Sequence, residues 1–239
     1  MAREVVITAD KIKKKRKTAT FLKLSILAVL LLLIITYVVL SFALSQGTFS
    51  VSLKYNKDLQ SGLQMYESLN DRTEKWKLSA DDVHFMTNTT LKWLPENIDD
   101  EGEGSHNGDN YIAFTFYLEN TKENVINYWY QVVVDDVIKN VDEAIRIMIF
   151  RNGESEIYAK KNGVTNEPEA DTLAFRDDSD GTVILKHRTG MIPGDIDKLT
   201  VVIWIEGNDP DCVNALIGGE IQMHMDVTEE HIEQYWNGV

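Results

Sequence analysis

The chain of 239 residues has one cysteine, Cys212, and four prolines, Pro95, Pro168, Pro193 and Pro210. A lone thiol cannot close an intrachain disulfide, which excludes a disulfide-stapled miniprotein. With only 14 glycines besides, collagen and low-complexity disorder are excluded too. Signatures of catalysis are also missing. His84, His106, His187, His224 and His231 include no H-E-x-x-H pair, the spacing that sets two zinc ligands one helical turn apart beside a catalytic Glu. No G-x-S-x-G elbow, G-x-G-x-x-G run or Walker sequence occurs. Basic charge is scarce beyond the N-terminus: residues 45–239 hold sixteen Lys and Arg against thirty-six Asp and Glu, a net of −20 within a chain of −14. Such a surface offers no positive stripe for a phosphate backbone, so nucleic acid is not an expected partner.

What is present begins with a reversal of that charge. Residues 1–23 carry eight Lys and Arg against two acids, a net of +6, including the run from Lys13 to Lys17. Residues 24–44 follow as LSILAVLLLLIITYVVLSFAL, twenty-one residues without a charge, Pro, Gly, Asn or Gln. As a helix this segment spans about 32 Å at about 1.5 Å per residue, enough for a hydrocarbon core of roughly 30 Å. The positive-inside bias then predicts a cytoplasmic basic tail (1–23), a transmembrane helix (24–44) and an extracellular domain (45–239). A basic leader before an apolar run also describes a signal peptide, with cleavage after Ala43 or Ser45 as the alternative. The run exceeds the about 7–15 residues of a signal core, which favours a retained anchor in the cell membrane.

From residue 48 onward, apolar and polar residues alternate with period two, and turn residues interrupt about every ten positions. This pattern predicts an all-β fold, a β-sandwich of jelly-roll type with one or two short helices. Phe49, Val51, Leu53 and Tyr55 share one face of the first run, TFSVSLKY. Further strands are expected at 111–119, 127–139 (with a bulge or bend), 145–150, 156–160, 182–186, 199–206 and 220–226. Asn152-Gly153 marks a hairpin. Short helices are expected at 211–217 and 228–235, and exposed loops at 97–110 and 161–171. All four prolines fall between the runs, where a missing N–H costs nothing.

Few clusters point to chemistry. Cys212, in an Asp-Pro-Asp-Cys turn, is read as a small residue packing at a helix start, and Asp209 or Asp211 as its N-cap. Hard oxygen donors gather at Asp177, Asp178 and Asp180 ahead of Gly181, which makes these three the calcium candidates. The D-x-[DN]-x-[DN]-G frame needs an acid where Arg176 stands, so a β-turn closed by Gly181 is the preferred reading. No other cofactor and no catalytic set is expected. Asp99, Asp100, Glu101 and Glu103 are read as a solvated loop.

The passages WIEGNDPDCVNALIGGEIQMHMD, GSHNGDNYIAFTFYLEN and VDEAIRIMIFRNGE resemble a group of membrane-anchored or exported surface proteins of Gram-positive bacteria. That group looks like a distant relative of camelysin and the TasA-like matrix proteins, which are exported through the signal peptidase SipW. The resemblance covers roughly residues 49–226 and implies a jelly-roll-like sandwich on the cell surface, with a capacity for fibre assembly in a biofilm-like matrix. A chain with one cysteine suits an exported protein of such an organism. The long apolar segment departs from the group's cleavable leaders. The metalloprotease label attached to some camelysin relatives is not carried over, because no zinc motif stands here.

The expectation is a non-enzymatic surface component that binds a protein partner or assembles with itself. The alternatives are an accessory or receptor subunit of a membrane complex and a surface hydrolase, the latter needing an acid–base pair or a metal cluster in a cleft. The run 48–55 is the expected pairing strand, either inside its own sheet or donated to a neighbour.

Overall fold

The structure, a computed structural model, describes residues 9–44, 48–54, 61–83, 85–177 and 179–230, and side chains of the first segment at 20–38. Tyr55, His84, Asp178, His231 and the tail before residue 9 lie outside the described residues. The chain separates into two units, an N-terminal helix and a strand-rich domain.

The helix, α1 (Ala9–Leu44), continues the apolar run back through the basic segment. Its stretch Thr20–Val38 has a mean hydropathy of 2.6 and none of it is buried against protein, so it is long and apolar enough to cross a membrane. Two hydroxyls in that stretch bond their own helix: Ser25 Oγ donates to the Phe21 carbonyl (3.0 Å) and Thr36 Oγ1 to that of Leu32 (2.9 Å). In hydrocarbon this is the economical arrangement, since no water is present to take an unpaired hydroxyl.

The second unit is all-β. Its strands are β1 (Phe49–Lys54), β2 (Leu63–Tyr66), β3 (Lys77–Ser79), β4 (Gly104–Ser105), β5 (Tyr111–Asn120), β6 (Ile126–Ile138), β7 (Ile145–Arg151), β8 (Glu154–Ala159), β9 (Leu173–Ala174), β10 (Thr182–Met191), β11 (Ile196–Ile205) and β12 (Glu220–Glu230). One sheet runs β10-β6-β12-β1-β3 and the other β2-β5-β11-β7-β8-β9, with β4 also on β5. Pairing is antiparallel except at β1–β12 and β8–β9. The two sheets share one core. Phe49, Val51 and Leu53 of β1 meet Ile112, Phe114, Phe116 and Leu118 of β5, and the rings of Phe49 and Phe114 lie 6.4 Å apart. The expected inward face of β1 is therefore the buried one.

Asn152 and Gly153 take φ of 53° and 84° and join β7 to β8, which a two-residue primed turn requires. The bend expected in β6 is a register shift opposite Gln222 and Met223, where Asp135 is the extra residue and its carboxylate meets His224 Nδ1 at 2.8 Å.

Three expectations change. The run from Thr228 to Glu230 is strand, not helix, because Thr228, Glu229 and Glu230 extend the ladder with Trp129, Tyr128 and Asn127. The helix expected at 211–217 shrinks to a 3-10 turn, Asn214–Leu216. The acidic loop 97–110 is not simply solvated: Ile98 is 1% exposed and packs with Leu94 on Ala113, Met148, Val202 and Trp204. This segment covers the outer face of the seven-stranded sheet, so β5 and β11 are buried on both faces and outward-facing Thr115 and Thr200 must bond each other (2.7 Å).

Candidate functional site

The chemistry predicted at the 176–181 turn is directed inward on the turn itself. Asp177 Oδ1 accepts the Ser179 amide (2.9 Å) and its hydroxyl (2.6 Å), bonds that hold the carboxyl below its ordinary range. Asp180 Oδ1 accepts the Thr182 amide at 2.9 Å. Both residues are exposed, and Asp178 lies outside the described residues. The carboxylates shape the turn that leads into β10, and among the described residues no further ligand joins these two.

A different set of acids converges at a place without a sequence motif. The turn after β11 begins with Glu206, which is 9% exposed; its Oε2 accepts the Trp204 indole N–H (3.0 Å) and the Leu91 amide (3.1 Å). This anchoring points the next residues inward. Asp209, 5% exposed, accepts the Asp211 amide on Oδ1 (2.7 Å) and the Arg146 guanidinium on Oδ2 (2.5 Å). Arg146 stands in β7 directly opposite Trp204, and it too is buried. From another direction comes the 161–171 loop, tied by a Lys161–Pro168 bridge and the Asn162 amide bond to Glu167. It delivers Glu169, whose Oε2 lies 3.9 Å from the same guanidinium.

Glu169, Asp209 and Asp211 each present a carboxylate oxygen, and the three oxygens lie within 4.8 Å of one another. Glu169 Oε1 and Asp211 Oδ2 are buried and have no hydrogen-bond partner among the described residues. An unmatched buried polar atom costs about 1–3 kcal/mol, more when charged, so two in one cluster are exceptional. Only the Asp-x-Asp spacing at 209–211 hinted at this arrangement in the sequence. Glu169 carried no signal, because its approach depends on how a long loop folds.

Cys212 adjoins the cluster without facing it: its Sγ accepts from Asn88 Nδ2 at 3.5 Å. A half-open depression of about 200 Å³ lies elsewhere, lined by Asp135, Asp136, Asp142, Lys160, Phe175 and Gly181. Within it Lys160 bonds Asp142 at 2.5 Å and Glu143 at 3.0 Å. Burial opposes the charge on Lys160, but these two carboxylates outweigh it and its ammonium titrates above the usual lysine range.

The sheet edges form the second feature with functional meaning. Most are short: β3 has three residues, β2 four, and β4 and β9 two each. β10 is different. It runs for ten residues at the end of its sheet, and among the described residues the flank away from β6 is bridged only at its start, where the Arg176 and Asp177 amides donate to the Val183 and Thr182 carbonyls. His187 on this strand stacks on Trp129 with ring centroids 4.1 Å apart.

No protein-family model matches the chain, and no curated protein matches it. Among solved structures it is similar to the selenomethionine-labelled β-glucosidase from Kluyveromyces marxianus, with 11% identity, a TM-score of 0.27, and coverage of 72% of this chain and 17% of that one. It is also similar to the same enzyme in complex with glucose, with 11% identity, a TM-score of 0.23, and coverage of 68% and 15%. The chain spans less than a fifth of those structures, and likeness at such scores carries no argument. What the fold defines is an all-β domain following one apolar helix.

Proposed function

We propose that this protein is a single-pass membrane protein, N-terminus in the cytoplasm and sandwich outside, that works by binding another protein chain and not by catalysis. The observation that carries the reading is the flank of β10 beyond Val183, unpaired among the described residues, in a domain whose other edges are short. Unpaired edge N–H and C=O groups are a template for a further strand, and proteins usually shorten or cover such edges. The expected pairing run, read as either internal or donated, is internal: β1 is held in its own sheet between β12 and β3, and among the described strands β10 is the long one with an edge to offer. The unburied apolar side chains of Thr20–Val38 support the anchor, and the +6 and −20 charges on either side support the orientation. The resemblance to camelysin and TasA-like matrix proteins fits the same role, an envelope or matrix assembly component whose partner includes further copies of the chain.

The test places a photo-crosslinking amino acid at Leu185, His187 or Thr189 of β10, and at Lys77 of β3 as control, in the full-length protein in its own membrane. Adducts with a second chain should arise from β10 and not from Lys77. Absence of intermolecular adducts at all three β10 positions would sink the strand-addition reading. Protease added to intact protoplasts should digest the sandwich; its protection would reverse the orientation.

A further inference from the structure

We propose that Glu169, Asp209 and Asp211 bind a hard divalent cation, calcium by its chemistry, and that the cation clasps the 161–171 loop to the turn after β11. Two independent observations converge on this position. The first is geometric: one oxygen from each carboxylate falls within 4.8 Å of the others. Oxygens that share a calcium ion, each about 2.3–2.6 Å from it, stand no more than about 5 Å apart. The second is the pair of buried oxygens without donors, Glu169 Oε1 and Asp211 Oδ2. The Glu169 side chain is only 11% exposed, so water reaches little of the carboxylate, whose Oε1 has no donor while Oε2 faces Arg146 at 3.9 Å.

Charge points the same way. Three carboxylates and one guanidinium, that of Arg146, leave a formal charge of minus two, which one divalent cation neutralises. The donor set consists of oxygens alone, since the nearby Cys212 sulfur is engaged by Asn88, and an all-carboxylate set suits calcium over zinc or copper. Asp209 is already immobilised by Arg146 and by the Asp211 amide, so it serves as the rigid ligand toward which the two others close.

The experiment uses the full-length protein in detergent micelles, stripped of metal and titrated with Ca2+ by calorimetry, with melting followed in Ca2+ and in EDTA. A saturable isotherm and a higher Tm in Ca2+ are expected. Glu169→Gln and Asp211→Asn should each weaken Ca2+ binding by about tenfold or more, because ligand charge sets affinity in such sites. Glu169→Gln removes no side-chain hydrogen bond and only the longer of the two ion pairs of Arg146, which keeps Asp209, so circular dichroism should show its fold retained; should Asp211→Asn fail to fold, Glu169→Gln decides. The double variant Asp177→Asn, Asp180→Asn should bind as the parent does. The proposal is overturned by an absence of Ca2+-dependent heat and Tm change in the parent, by unaltered affinity in folded Glu169→Gln, or by loss of binding in the turn variant instead.

Discussion

Glu229 stands at the end of β12 and reaches across to the other sheet, where one carboxylate oxygen accepts the amides of Gly62 (2.7 Å) and Leu63 (3.1 Å) and the Ser61 hydroxyl (2.8 Å). Its second oxygen takes the Lys122 ammonium at 2.7 Å, and the residue is 5% exposed. Burial alone pushes this carboxyl upward, but the four donors outweigh it and Glu229 titrates below the ordinary glutamate range. A carboxyl depressed in the folded state stabilises it at pH values above the unfolded pKa, about 4.3, and that contribution is lost as pH falls toward the folded value. Glu229→Gln should lower stability at pH 7 by about 1–3 kcal/mol, because the amide turns an NH2 toward donors that need an acceptor. Urea melts at pH 7 and pH 3.5 would show it: the variant should lose less stability on acidification than the parent, and equal losses would contradict the assignment. None of this was legible beforehand, since Glu229 was expected on a helix and its partners lie more than a hundred residues away.

At the scale of elements, the junction of β6 and β10 makes a specific demand. Gly181 has φ of +72°, and a Cβ there would stand 2.5 Å from the Val134 carbonyl oxygen, a backbone atom unable to step aside. Gly153 has φ of +84° with nothing within 4 Å. Gly153→Ala should thus cost only the conformational penalty, about 1 kcal/mol, while Gly181→Ala should cost roughly 2–4 kcal/mol because a clash is added to it. Denaturant midpoints with unchanged slopes would measure both; equal costs would mean the β6 backbone yields. The strands themselves were readable, because period-two alternation and primed-turn residues act locally. The covering of the seven-stranded sheet was not: Leu94 and Ile98 are two apolar residues in an acidic stretch, and only the folded sheet gives them a surface. The carboxylate cluster escaped for the same reason, its members coming from a loop and a turn without periodicity. Asp177 and Asp180, which did carry a motif-like spacing, are occupied by their own turn.

For the whole molecule, charge is the dominant quantity. A net of −20 over residues 45–239 makes the domain repel itself, and surface pairs such as Lys54–Asp226 (3.2 Å) and Lys186–Glu156 (2.9 Å) offset little of that. Raising NaCl from about 0.01 M to 1 M shortens the screening length from about 30 Å to about 3 Å. The Tm of the full-length protein should therefore rise by a few degrees with NaCl, and a fall would mean that attractive pairs dominate. The order of strands has a consequence in time. β1, made early, is locked between β3 and β12, and β12 carries the final described residues. At ribosomal rates of about 5–20 residues per second, β12 emerges on the order of ten seconds after β1. Until it arrives the five-stranded sheet has no centre, since β6 and β1 touch it and not each other. That sheet is thus kept open until β12 has been made, and an open sheet is what the export proposed above would require a translocation channel to thread.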